Sequence, residues 1–80
     1  GEVFGTCLKK DETVKFQSKL VREYIGLYLL QGCLEISSVE LTSVVNEGDF
    51  ILLKFFNSVK QLTIYSMEVS EIAITRIPLP

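Results

Sequence analysis

The sequence predicts an all-β fold of about eight short strands, arranged as a small antiparallel barrel or sandwich. Three observations lead there. Val, Ile and Thr recur from end to end whereas Ala73 is the one alanine, a balance that suits pleated strands and disfavours helix. Apolar and polar residues alternate in several short runs, as they do in half-buried strands. Turn residues break these runs roughly every six to ten positions, as in sandwiches and barrels.

Residues 3–8 form the first predicted strand, interrupted by Gly5, and Lys9, Lys10, Asp11 and Glu12 follow as a polar turn. The run 13–17 alternates polar and apolar, which turns Val14 and Phe16 inward. Residues 20–30 have some helical amphipathicity, but Tyr24, Ile25, Gly26 and Tyr28 favour strand, with Gly26 as a bulge or a close backbone contact. Gln31 and Gly32 have the composition of a hairpin turn, leading into an alternating strand over 33–37. A further strand covers 41–45, and Asn46, Glu47, Gly48 and Asp49 supply the next turn, with Gly48 free to take positive φ. The nearly unbroken apolar run 50–56 is that of a strand buried on both faces. Asn57 and Ser58 turn the chain into 59–65, and Ser66, Met67 and Glu68 lead into 69–77. Pro78 and Pro80 end the ladder because proline lacks a backbone donor. With no linker, repeat or low-complexity stretch, residues 1–80 are one domain or a piece of one.

Composition narrows the function. An 80-residue chain that is 48% hydrophobic buries only about 60% of its unfolded surface, so a ligand or partner is expected to cover the excess. The net charge of −2 gives no basic footprint for nucleic acid or for an anionic membrane. There is no histidine, so the Ser-His-Asp and Cys-His nucleophile systems and His-ligated metals are excluded. The expectation is a non-enzymatic module without metal or cofactor. Glu47 and Asp49 flank Gly48, but they are ordinary turn residues and too few for calcium. Lys9, Lys10, Asp11 and Glu12 cancel one another's charge as a solvated loop.

Cys7 and Cys33 lack the Cys-x-x-Cys spacing of redox and zinc motifs. They fit either two free, buried thiols in a cytosolic protein or one bridge in a secreted or periplasmic domain. Residues 1–24 carry charges throughout and do not resemble a signal peptide, and the longest purely apolar run, 27–30, is far short of a membrane span.

The candidate ligand or partner contacts are Tyr28, Leu30, Phe50, Leu52, Phe55 and Phe56. Adjacent strand residues point to opposite faces. One ring of the Phe55–Phe56 pair therefore faces a ligand cavity, a partner or a second layer of the same domain. Tyr24, Tyr28 and Tyr65 add amphipathic groups of the kind enriched at interfaces.

The segment Gly26-Leu27-Tyr28-Leu29-Leu30-Gln31-Gly32-Cys33-Leu34-Glu35-Ile36, followed by Val45-Asn46-Glu47-Gly48-Asp49-Phe50-Ile51-Leu52-Leu53, resembles the hairpin and following turn of a cupin-type barrel. With the terminal Ile77-Pro78-Leu79-Pro80, it is similar in order and spacing to the amino-terminal domain of AraC-family transcriptional activators, in particular the branch controlling type III secretion and virulence. The resemblance covers about residues 20–80. The metal-binding histidines of enzymatic cupins are missing, and neither the helix-turn-helix half nor the dimerisation helices of such an activator lie in this segment. What it implies is a cupin-like jelly roll in the cytoplasm that binds a small effector or a regulatory protein and controls an attached DNA-binding domain. Self-association as a dimer is a further expectation. A reading of a different class is a periplasmic or extracellular β-domain that a partner subunit completes, the shared barrel holding an apolar ligand. An oligonucleotide-binding fold lacks its basic groove.

Overall fold

The computed structural model describes residues 2–17, 22–38, 42–56 and 61–78. Eight strands account for most of them: β1 (Glu2–Leu8), β2 (Thr13–Gln17), β3 (Arg22–Gln31), β4 (Cys33–Ser37), β5 (Thr42–Asn46), β6 (Phe50–Phe56), β7 (Gln61–Ser66) and β8 (Ser70–Pro78). The all-β expectation holds, and each predicted strand has its counterpart within a residue or two. The Asn57–Ser58 turn and Pro80 lie outside the described residues.

The strands form two antiparallel four-stranded sheets, in the orders β1-β8-β3-β6 and β2-β7-β4-β5. Pairing is nested: β4 meets β5, β3 meets β6, β2 meets β7 and β1 meets β8. The sheets stack face to face. The inward residues of the first, including Ile25, Leu27, Leu29, Ile72 and Ile74, join Leu34, Ile36, Val45, Leu62 and Ile64 of the second in one buried cluster. Val14 and Phe16 turn inward as predicted and pack against its margin.

Two expectations are corrected. The Gln31–Gly32 turn does not close a hairpin, because β3 belongs to the first sheet and β4 to the second. Gly32, at φ 102°, instead carries the chain from one layer to the other. Ser70 pins the crossing: its Oγ accepts from the Cys33 amide at 3.2 Å and lies 3.0 Å from both the Glu68 carbonyl and Ser66 Oγ. The Met67 amide donates to the Cys33 carbonyl at 2.9 Å. Among the described residues, β4–β5 is the one pair of consecutive strands that forms a hairpin. The second correction concerns β6, which is not buried on both faces. It is an edge strand whose Ile51 and Leu53 pack inward while Phe50 and Leu52 stay exposed. Of the two expectations for Gly26 the close contact holds, since a Cβ there would lie 2.8 Å from Thr75 Cγ2 and 3.0 Å from the Phe50 ring; the register shift of β3 against β8 falls between Leu29 and Gln31.

The acidic turn residues have structural work. Asp49 Oδ2 accepts from the Asn46 amide at 2.9 Å, and the Gly48 amide donates to the Leu29 carbonyl at 2.8 Å. Asp11 takes φ 66°, a conformation Asp tolerates better than most residues. Its amide donates to the Ser66 carbonyl at 2.7 Å, and its carboxylate accepts from the Tyr65 hydroxyl.

Candidate functional site

The two sheets are not evenly closed. They approach each other between β3 and β5 and are least covered at the opposite side, where the edge strands β1 and β2 run. Inner-face residues of β1 show this directly: Phe4 is 41% exposed and Thr6 is exposed, and only Leu8, at the far end, is buried. Between β1 and β8 above and β2 and β7 below lies a cavity of about 280 Å³. Phe4, Gly5, Thr6 and Leu8 line it from β1, Ile72 and Ile74 from β8, Val14 and Phe16 from β2, and Ile64 from β7. Strand alternation explains the side-chain lining, since all of these but Gly5 hold successive inward positions on their strands.

Arg76 continues the inward row of Ile72 and Ile74 along β8. Its guanidinium sits 4.6 Å from the centre of the Phe16 ring, a cation–π geometry. One Nη donates to the Gln17 carbonyl at 3.1 Å, which ties the first sheet to the end of β2. Its Nε is buried and has no hydrogen-bond partner. A cation with an unused donor therefore stands against a wall residue of an otherwise apolar cavity.

The residues singled out from sequence lie elsewhere. Tyr28, Leu30, Phe50 and Leu52 share the outer face of the first sheet, not the cavity, and all four are exposed. Cross-strand register places Tyr28 beside Phe50 and Gly26 beside Leu52. The Phe50 ring lies over Gly26, where a Cβ would come within 3.0 Å of it. The side chains of Phe55 and Phe56 lie outside the described residues. Val3, Tyr24, Ala73 and Ile77 extend the same outer face by register with β1, β3 and β8. Tyr65 is on the other sheet, bonded to Asp11.

Cys7 and Cys33 are both free. Cys7 is exposed on the outer face of β1, contrary to the expectation of two buried thiols. Cys33 Sγ lies 3.7 Å from Met67 Sδ and 3.8 Å from Asn46 Oδ1. Among the described residues no group of three His, Cys, Asp or Glu side chains could hold a metal, and no helix is long and apolar enough to cross a membrane.

Against protein-family models, curated proteins and solved structures, the chain has no match.

The cavity went unseen in the sequence because Phe4, Leu8, Val14 and Phe16 have the composition of core. The usable signal was the inward register of β2, next to a β1 broken by Gly5.

Proposed function

We propose that this chain is a non-catalytic regulatory domain that binds a small apolar effector between its two sheets. In this reading it is the sensing part of an AraC-type activator, in the cytoplasm. A regulatory protein that docks on the domain would act through the same two-state logic as an effector. The nested strand pairing and the two sheet orders support a cupin-like jelly roll, an eight-stranded architecture of two sheets. The single observation that carries the reading is the 280 Å³ apolar cavity at the β1–β2 side, with Arg76 against its Phe16 wall. A methylene occupies about as much space as a water, near 30 Å³, so the cavity has room for roughly nine carbons. The effector this selects is a medium-length aliphatic or aromatic molecule whose carboxylate is drawn toward the guanidinium of Arg76 behind the Phe16 wall. Burying about eight methylenes at about 0.8 kcal/mol each gives a gross gain of about 6 kcal/mol. That gross figure alone corresponds to a dissociation constant of about 40 µM, so after association costs the affinity is at best submillimolar.

Regulation follows only if the effector favours one of two states of the domain. Binding is tested by calorimetric titration with decanoate and, separately, decanol. Saturable decanoate binding that Ile74→Trp abolishes supports the cavity, and a decanoate affinity that Arg76→Gln lowers while decanol's is unchanged supports the carboxylate contact. Absence of saturable binding, or indifference to Ile74→Trp, overturns it. The regulator reading is tested on the longer protein of the same reading frame. A helix-turn-helix domain whose promoter affinity responds to decanoate supports it, and an effector-indifferent one refutes it.

A further inference from the structure

We infer that Cys33 and Met67 form a binding site for a soft monovalent metal ion, copper(I). The site lies on the outer face of the second sheet, away from the cavity. β4 runs between β7 and β5, and Cys33 is its first residue. Leu34 and Ile36 of this strand point into the core, and alternation turns Cys33 outward. On the β5 side Cys33 is paired with Asn46. On the β7 side Leu34 is paired with Ser66, which brings the next residue, Met67, beside Cys33. One transverse row therefore reads Asn46, Cys33, Met67.

Backbone contacts hold each member of the row. The Met67 amide donates to the Cys33 carbonyl at 2.9 Å, and the Cys33 amide donates to Ser70 Oγ at 3.2 Å. The Asn46 amide donates to Asp49 Oδ2 at 2.9 Å, and the Asp49 amide donates back to the Asn46 carbonyl at 2.9 Å. On this frame Cys33 is not a thiol standing alone, because its Sγ lies 3.7 Å from Met67 Sδ. An ion about 2.3 Å from each sulfur, the length of a zinc–thiolate bond, would see them at roughly 110°, between the tetrahedral and trigonal angles. Seating it requires no movement of the backbone. Asn46 Oδ1 is 3.8 Å from Cys33 Sγ, and the same amide, turned over, presents an N–H to the thiolate that metal binding creates. Met67 is 39% exposed and Cys33 half-buried, so an ion reaches the pair directly from solvent.

The donors decide the metal. A thiolate and a thioether are soft ligands and select copper(I). Zinc in a structural site takes four ligands, and among the described residues no three His, Cys, Asp or Glu side chains converge. Calcium and magnesium require shells of oxygen. On binding, the Cys33 thiol gives its proton to solvent and each sulfur donates a lone pair, while the ion keeps its oxidation state; water or an external thiol takes a third position. The bound ion ties the β7–β8 connection to the start of β4, so it stabilises the crossing that Ser70 pins.

Anaerobic titration of copper(I) in competition with bicinchoninate tests the proposal, in a Cys7→Ser background that removes the other thiol. One equivalent is expected to bind and to raise the thermal midpoint. Met67→Leu keeps the thiol and loses the thioether. It should weaken binding at least about tenfold, the loss typical even of a residue that only supports a metal ligand, and Cys33→Ser should abolish it. Circular dichroism checks that each variant stays folded. Zinc offered in the same way should leave the midpoint where it was. Equal copper(I) affinity in folded Met67→Leu and its parent overturns the proposal and reduces Cys33 to a single thiol. So does failure of the parent to take copper(I) from the competitor, or a rise in midpoint with zinc as large as that with copper(I).

Discussion

Replacing Gly32 by alanine should cost far more than the same change at Gly48, although both glycines sit in turns at positive φ. Gly48 has φ 87° and nothing within 4 Å of where a Cβ would stand. Its substitution therefore incurs only the conformational penalty, about 1–2 kcal/mol. Gly32 has φ 102°, and a Cβ there would lie 2.6 Å from the Val69 carbonyl oxygen and 2.7 Å from Ser70 Cα, pressing also on Ser70 Oγ. Two of these neighbours are backbone, so the β7–β8 connection must move. Moving it strips the Cys33 amide of its bond to Ser70, and a buried group left unpaired costs about 1–3 kcal/mol more. The sum, about 2–5 kcal/mol, is a large share of the about 5–15 kcal/mol that holds a typical domain together. The assay is thermal and urea denaturation followed by far-ultraviolet circular dichroism, since the chain has no tryptophan. At about 4–8 °C per kcal/mol for a domain this size, Gly48→Ala should lower the midpoint by roughly 5–15 °C and Gly32→Ala by at least twice as much. Equal losses would refute the claim that close approach, and not the turn conformation, is what demands glycine at the crossing between the sheets.

Ser70→Ala tests the same crossing from the other side: it should cost about 1–3 kcal/mol and speed hydrogen exchange at the Cys33 amide, and unchanged exchange would count against the anchoring role. Asp11→Ala should lower the pKa of Tyr65, which the hydrogen bond to Asp11 holds above the ordinary tyrosine value, with desolvation and the Asp11 and Glu35 charges adding to it. Tyr65 keeps its proton more firmly folded than unfolded. Its contribution to stability is therefore full below the ordinary tyrosine pKa and fades as pH rises through the raised value. Absorbance titration of tyrosinate should show one of the three tyrosines moving down in the variant, and an unmoved titration would remove Asp11 as the cause.

What the sequence made legible was local. Alternation at Val14 and Phe16, the β-branched composition and the turn glycines located all eight strands, because each is a matter of one strand's two faces or one turn's φ. What it left open was which strands share a sheet. Gln31-Gly32 and Asn46-Glu47-Gly48-Asp49 have the composition of hairpin turns, yet both carry the chain between layers. A positive-φ glycine serves either geometry, and the deciding contact, Ser70 on the Cys33 amide, comes from 37 residues away. For the same reason the apolar run 50–56 read as doubly buried. Its alternation is apolar on both sides, and only the edge position of β6 determines that Phe50 and Leu52 face out. That excess became the exposed face. The cavity was hidden because an inward phenylalanine in a closed core and one beside a gap are the same residue in the same register. Glu23, fully buried in β3, carried no sequence signal at all.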